Sequence, residues 1–203
     1  MPSTEPRERP SPEQIAALPA YAGLGLAQIE VLRLPDQLAS AERVMREAGL
    51  VGFDTESKPV FQAGQPHNGP DIIQFATQDR GFIVPLAASG VELLLRTVIE
   101  APDILKVGFG LASDKPLLQR RLGLQLQPAV DLSHQVKRLG FKQAVGLKAA
   151  VAIVLGERLP KSKKTTTSNW ASPTLSPQQL QYAANDAHAS LRIYLALNAM
   201  PRR

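Results

Sequence analysis

A single hexapeptide, Val51-Gly52-Phe53-Asp54-Thr55-Glu56, narrows the possible folds sharply. Its apolar start fits a strand inside a sheet, and its end carries two carboxylates spaced two apart. Successive side chains of a strand alternate faces, so Asp54 and Glu56 point the same way. Like charges that close raise each other's pKa, and a divalent cation between them removes the conflict. An isolated Asp-x-Glu is most often an acidic strand end in solvent. What the other elements bring to the same place decides between these readings.

Upstream, residues 29–34 read as a short strand. A helix with Asp36 as N-cap then carries Leu38, Ala41, Val44 and Met45 and stops at Gly49. After a Gly- and Pro-rich loop at 62–70, residues 71–77 and 82–86 read as strands. The turn Gln78-Asp79-Arg80-Gly81 joins them as a hairpin. The pattern then alternates: helix 91–100, strand 104–109, helix 114–122 and strand 129–130. Helices follow at 132–139, 145–155 and 176–199. Strands alternating with helices imply parallel pairing through right-handed crossovers. The expected fold is α/β, a mixed sheet with an antiparallel meander followed by parallel α/β units, flanked by helices. Residues 1–25 are expected to form a tail, Pro-, Glu- and Arg-rich and disordered to about residue 13, ahead of one domain at 26–203.

Composition removes several function classes. With no cysteine in 203 residues, disulfides and thiolate metal sites are impossible. His67, His134 and His188 are scattered and give no zinc pattern, so a bound metal should be hard and oxygen-ligated. No apolar run approaches the roughly 20 residues of a membrane span, and no signal peptide opens the chain, so a cytoplasmic protein is expected. The net charge of +5 is unevenly placed. Between Leu132 and Asn185 the only acid is Glu157, against Lys137, Arg138, Lys142, Lys148, Arg158, Lys161, Lys163 and Lys164. Such a span is a solvated basic face or a surface that meets phosphates.

The last helix is the best signposted element. Ser176 offers an N-cap, Pro177 the first helical position and Gln179 a capping-box partner. Leu180, Ala184, Ala187, Leu191 and Tyr194 form its core stripe. Tyr182 and Asp186, four apart, share a neighbouring stripe, where such residues ordinarily face solvent. His188 is expected to face away from Asp186, at the surface. Asp114, in Gly108-Phe109-Gly110-Leu111-Ala112-Ser113-Asp114, opens a helix, where an acid is favoured by the macrodipole alone.

Phe53-Asp54-Thr55-Glu56, the Gly108-to-Asp114 segment and Tyr182-Ala183-Ala184-Asn185-Asp186 together resemble the three exonuclease motifs of the DEDD superfamily, tyrosine branch, in the family's order. That branch includes ribonuclease D and the exonuclease domain of the Werner syndrome protein. Lys58-Pro59 after the glutamate is closer to the Werner type. The resemblance implies a ribonuclease-H-like fold and a 3′–5′ exonuclease releasing nucleoside 5′-monophosphates from a single-stranded 3′ end. It also implies two divalent cations, Mg²⁺ or Mn²⁺, which carboxylates suit. Asp54 would bridge both, Glu56 and Asp186 would hold the one bearing the attacking water, Asp114 would support the second through water, and Tyr182 would orient that water. DNA is the favoured substrate. A ribonuclease D-like RNA-processing enzyme is the alternative, and a catalytically silent nucleic-acid-binding module is the rival from another class.

A nucleic-acid-binding role is also expected for the basic, hydroxyl-rich segment before the last helix, through Lys161, Lys163, Lys164, Ser168, Asn169 and Trp170. It reads as a mobile loop whose lysines a solvated surface explains equally well. Trp170 either stacks a base or anchors the loop on the core, the anchor being favoured.

Overall fold

The computed structural model of the chain describes residues 7–59, 69–160 and 162–200. Most of the loop expected at 62–70 lies outside these. Six strands form one sheet: β1 (Ile29–Val31), β2 (Leu50–Glu56), β3 (Ile72–Ala76), β4 (Gly81–Pro85), β5 (Leu105–Gly108) and β6 (Ala129–Asp131). Their spatial order is β1-β4-β3-β2-β5-β6. The pairs β2–β3 and β3–β4 are antiparallel, while β1–β4, β2–β5 and β5–β6 are parallel. The expected meander followed by parallel units is therefore present, and β2 lies inside the sheet.

Strand alternation sends Phe53 to one face of β2, and Gly52, Asp54 and Glu56 to the other. On the Phe53 face, Phe75, Phe82 and Val84 pack under α2 (Pro35–Ala48), α3 (Val91–Ile99) and α4 (Leu111–Leu122) through Leu38, Met45, Leu95 and Leu118. The Phe53 and Phe75 rings lie 5.6 Å apart. Each such buried side chain contributes about 1.5–3 kcal/mol. The opposite face belongs to α8 (Pro177–Ala199), whose Ala183, Ala184 and Ala187 lie on Ile72, Ala76 and Ile83. A further cluster joins Val107, Leu191 and Ile193 to α5 (Leu132–Lys137) and to α6 (Leu147–Ala150).

Several boundaries differ from expectation, each for a local reason. Helix α2 begins with Pro35 rather than after an Asp36 cap, because Gln37 Oε1 accepts from the Arg33 and Leu34 amides. The expected helix at 145–155 is the short α6 continued by a π-helical turn, Val151–Leu155. The basic segment is not wholly loop, since α7 (Lys163–Thr166) forms within it. The N-terminal stretch makes contacts with the domain from residue 7 onward. Arg7 N–H donates to Gly140 O at 2.8 Å, and Ser11 caps α1 (Pro12–Ala16), which buries Ile15. His188 is not at the surface: only 5% exposed, it bonds Tyr21 Oη at 2.8 Å and Gln78 O at 3.1 Å.

Candidate active site

The site forms because α8 can approach β2 with almost nothing between them. A methyl group at Gly52 would sit 1.9 Å from the carbonyl oxygen of Ala187, an impossible separation. Glycine on the strand and alanine on the helix thus bring the two backbones into contact. Two residues further along β2 is Asp54, and one residue before Ala187 is Asp186. The close approach therefore delivers carboxylates from two distant segments to one place. Oxygens of Asp54, Glu56 and Asp186 all lie within 4.8 Å of one another. Asp186 is buried, while Asp54 and Glu56 are half-buried.

These three donors fit a hard divalent cation. Metal–oxygen bonds of about 2.0–2.1 Å place opposite ligands on the order of 4 Å apart. Oxygen-only donors in a chain without cysteine favour such an ion over a soft one.

Asp114 does not join this group. It is only 8% exposed, and its Oδ1 accepts from Thr55 Oγ1 at 2.6 Å. Burial pushes its carboxyl above the usual carboxylate range, against the lowering effect of the Thr55 hydrogen bond. The Thr55 hydrogen bond holds Asp114 beside the Asp54–Glu56 strand. In the sequence Thr55 is only the spacer of Asp-x-Glu, and no local signal marks it. Alternation turns it to the other face, where it meets Asp114, the acid of the second motif. The backbone N–H of Thr55 also donates to Asp54 Oδ1 at 2.9 Å.

Tyr182 lies one helical turn before Asp186, with its hydroxyl 3.1 Å from Thr166 Oγ1. Its ring is 5.9 Å from that of Trp170. Trp170 is 1% exposed and donates Nε1–H to Thr166 O at 3.3 Å, so it anchors the segment and has no face left to stack a base. Ser168 Oγ is likewise engaged inward, donating to Thr165 O and accepting from Gln179 Nε2. Asn169 and Lys164 are exposed, Lys163 lies in α7, and Lys161 falls outside the described residues. Along α8 from Tyr182 and Asp186 runs a cavity of about 670 Å³, bordered also by Gln181, Asn185, Lys148 and Arg158. The last two belong to the acid-poor span, and only the fold places them on the same cavity as Asp186.

A family model described as 3′–5′ exonuclease matches residues 29–201. The chain belongs to the 3′–5′ exonuclease family. It is 30% identical over 159 residues to a 3′–5′ exonuclease of Arabidopsis thaliana, covering 76% of this chain and 55% of that one. It is 29% identical over 155 residues to the mouse bifunctional 3′–5′ exonuclease/ATP-dependent helicase WRN, covering 75% of this chain and 11% of that protein. The chain thus spans about half the length, or less, of these curated relatives. Among solved structures, the Nibbler EXO domain of Aedes aegypti superposes with a TM-score of 0.73 at 25% identity, covering 86% of this chain and 89% of that one. The mixed six-stranded sheet with its flanking helices is the ribonuclease-H-like architecture of such exonucleases.

Proposed function

We propose that this exonuclease domain hydrolyses phosphodiester bonds at a single-stranded 3′ end, with Mg²⁺ or Mn²⁺, by the chemistry of the tyrosine branch. The observation that carries this is the convergence of Asp54, Glu56 and Asp186 within 4.8 Å. Divalent ions held there would lower the pKa of bound water and neutralise charge on the leaving oxygen. Asp54, Glu56 and Asp186 would be their ligands, with Asp114 beside them through Thr55.

The Tyr182 hydroxyl, one turn from Asp186, has the reach to orient the attacking water. A phenol hydroxyl there suits positioning of the water rather than proton abstraction. Lys148 and Arg158, on the cavity beyond Asp186, supply positive charge where the phosphates of the strand would lie. A silent binding module is disfavoured, because it has no use for three acids brought together against their mutual repulsion.

The deciding assay digests matched single-stranded DNA, 3′-recessed DNA and RNA with Mg²⁺ or Mn²⁺. Asp54→Asn and Asp186→Asn should each abolish hydrolysis while preserving the circular dichroism spectrum. Mn²⁺ should raise the melting temperature of the wild type, since a ligand of the native state stabilises it by mass action. Full activity in EDTA would sink the mechanism. Faster digestion of RNA than of DNA would replace the DNA reading with the ribonuclease D-like one.

A further inference from the structure

Beneath the acidic cluster sits a polar side chain that the chemistry above leaves unused. Gln74, in β3, is the register partner of Asp54 in β2. Directly paired residues share a face of the sheet, so the Gln74 side chain lies beside the Asp54 carboxylate, under α8. Its other neighbours are apolar: Ile72 and Ala76 along the strand, and Ile83 across to β4, all buried. Gln74 is fully buried, and neither Oε1 nor Nε2 has a hydrogen-bond partner among the described residues.

A side-chain amide carries two donors and an acceptor, and the large majority of buried polar side-chain atoms are paired. An amide unpaired at both ends opposes folding. Methionine has nearly the same length and would suit the apolar surroundings without that penalty. A group kept against stability, next to a cluster of reactive carboxylates, marks a functional constraint.

Building on the metal-site reading above, we propose that Gln74 is a positioning residue for Asp54. With the cation bound, Gln74 Nε2–H donates a hydrogen bond to the Asp54 carboxylate and sets which oxygen faces the ion. It complements the Thr55 N–H, which already holds Asp54 Oδ1 at 2.9 Å. Ligating carboxylates are themselves held by such outer hydrogen bonds, whose loss weakens metal affinity about 10–100-fold.

The test uses the whole chain carrying Gln74→Met, with Gln74→Leu as a second variant. Each is melted in EDTA, titrated with Mn²⁺ while free Mn²⁺ is followed by EPR, and assayed on a labelled oligonucleotide. Relief of the unpaired amide should raise the metal-free melting temperature by about 2–4 °C. Mn²⁺ affinity should fall about 10–100-fold, and kcat should fall while KM for the oligonucleotide stays nearly unchanged. A readout free of mutation comes from the side-chain amide signals of Gln74 in the wild type, assigned by their loss in Gln74→Met. They should shift on titration with Mg²⁺. Variants that bind Mn²⁺ like the wild type, or melt below it in EDTA, would overturn the proposal, as would amide signals indifferent to Mg²⁺. A wild type that binds no Mn²⁺ would instead overturn the metal-site reading, so the two failures are distinguishable.

Discussion

Thr55 shows how much a spacer residue can hold. It separates Asp54 from Glu56 in the sequence, donates its backbone N–H to the first and its hydroxyl to Asp114. Asp114 is a carboxylate held in a buried place with burial pushing its pKa up. An acid whose folded-state pKa lies above its unfolded value binds more protons when folded. Its contribution to stability is present below the unfolded pKa and is lost as pH rises through the folded one. At pH 7, then, the charged Asp114 works against the metal-free fold. Asp114→Asn keeps an oxygen that can accept from Thr55 and carries no charge. Melted in EDTA, this variant should exceed the wild type at pH 7, and the difference should shrink towards pH 4. Its kcat should nonetheless fall by about 10-fold or more, as expected for a lost metal-supporting group. A variant no more stable than the wild type at pH 7 would remove burial as the cause.

At the scale of elements, the contact between β2 and α8 sets the site. Gly52→Ala would drive a methyl group into the Ala187 carbonyl, which is backbone and cannot turn aside. Overpacking in a core costs about 1–3 kcal/mol. Here the strain also pushes Asp186 away from Asp54, and a misplacement of about 1 Å can cost 10²-fold in rate. The variant should therefore lose activity by that order even at temperatures where circular dichroism shows it folded. Normal turnover would mean that the carboxylates tolerate a displaced helix. The start of α8 was legible because Ser176, Pro177 and Gln179 act locally, and the structure shows Ser176 Oγ and Gln179 Oε1 exchanging bonds with each other's amides. The burial of His188 was not legible. A helical period assigns one buried stripe, yet α8 is buried at every position from Asp186 to Leu191, because the sheet covers one side and other segments the rest. The same holds for Gln74: strand alternation gives its face, and only the register against β2 gives its neighbour.

At the scale of the molecule, those other segments include residues that read in the sequence as a tail. Leu24 N–H donates to Asn185 Oδ1 at 2.7 Å, next to Asp186, and Asn185 Nδ2 returns a bond to Leu24 O at 3.3 Å. Gln78 O can only accept, so His188 donates through Nε2 and accepts a hydrogen bond from the Tyr21 hydroxyl at Nδ1. Arg192 donates to Ala22 O and pairs with Glu157 at 2.8 Å, and its guanidinium stacks 5.1 Å from the Tyr21 ring centre. Every one of these contacts joins groups far apart in the chain, which is why composition alone could not place the stretch against α8. Deleting residues 1–25 would uncover the surfaces that Ile15, Tyr21 and Leu24 bury, at about 1.5–3 kcal/mol each before the entropy of ordering is set against them. It would also leave His188 and Asn185 without their partners on one side of the catalytic helix. The truncated chain should melt about 10 °C lower or more, since each kcal/mol moves a domain of this size by about 2–4 °C. Its kcat should fall too, at a temperature where it remains folded, because Asn185 adjoins Asp186. Differential scanning calorimetry and single-turnover digestion on both chains make the comparison. A truncated chain with the wild-type melting temperature and rate would show that the segment merely lies against α8, and the position of Asp186 would then rest on the sheet alone.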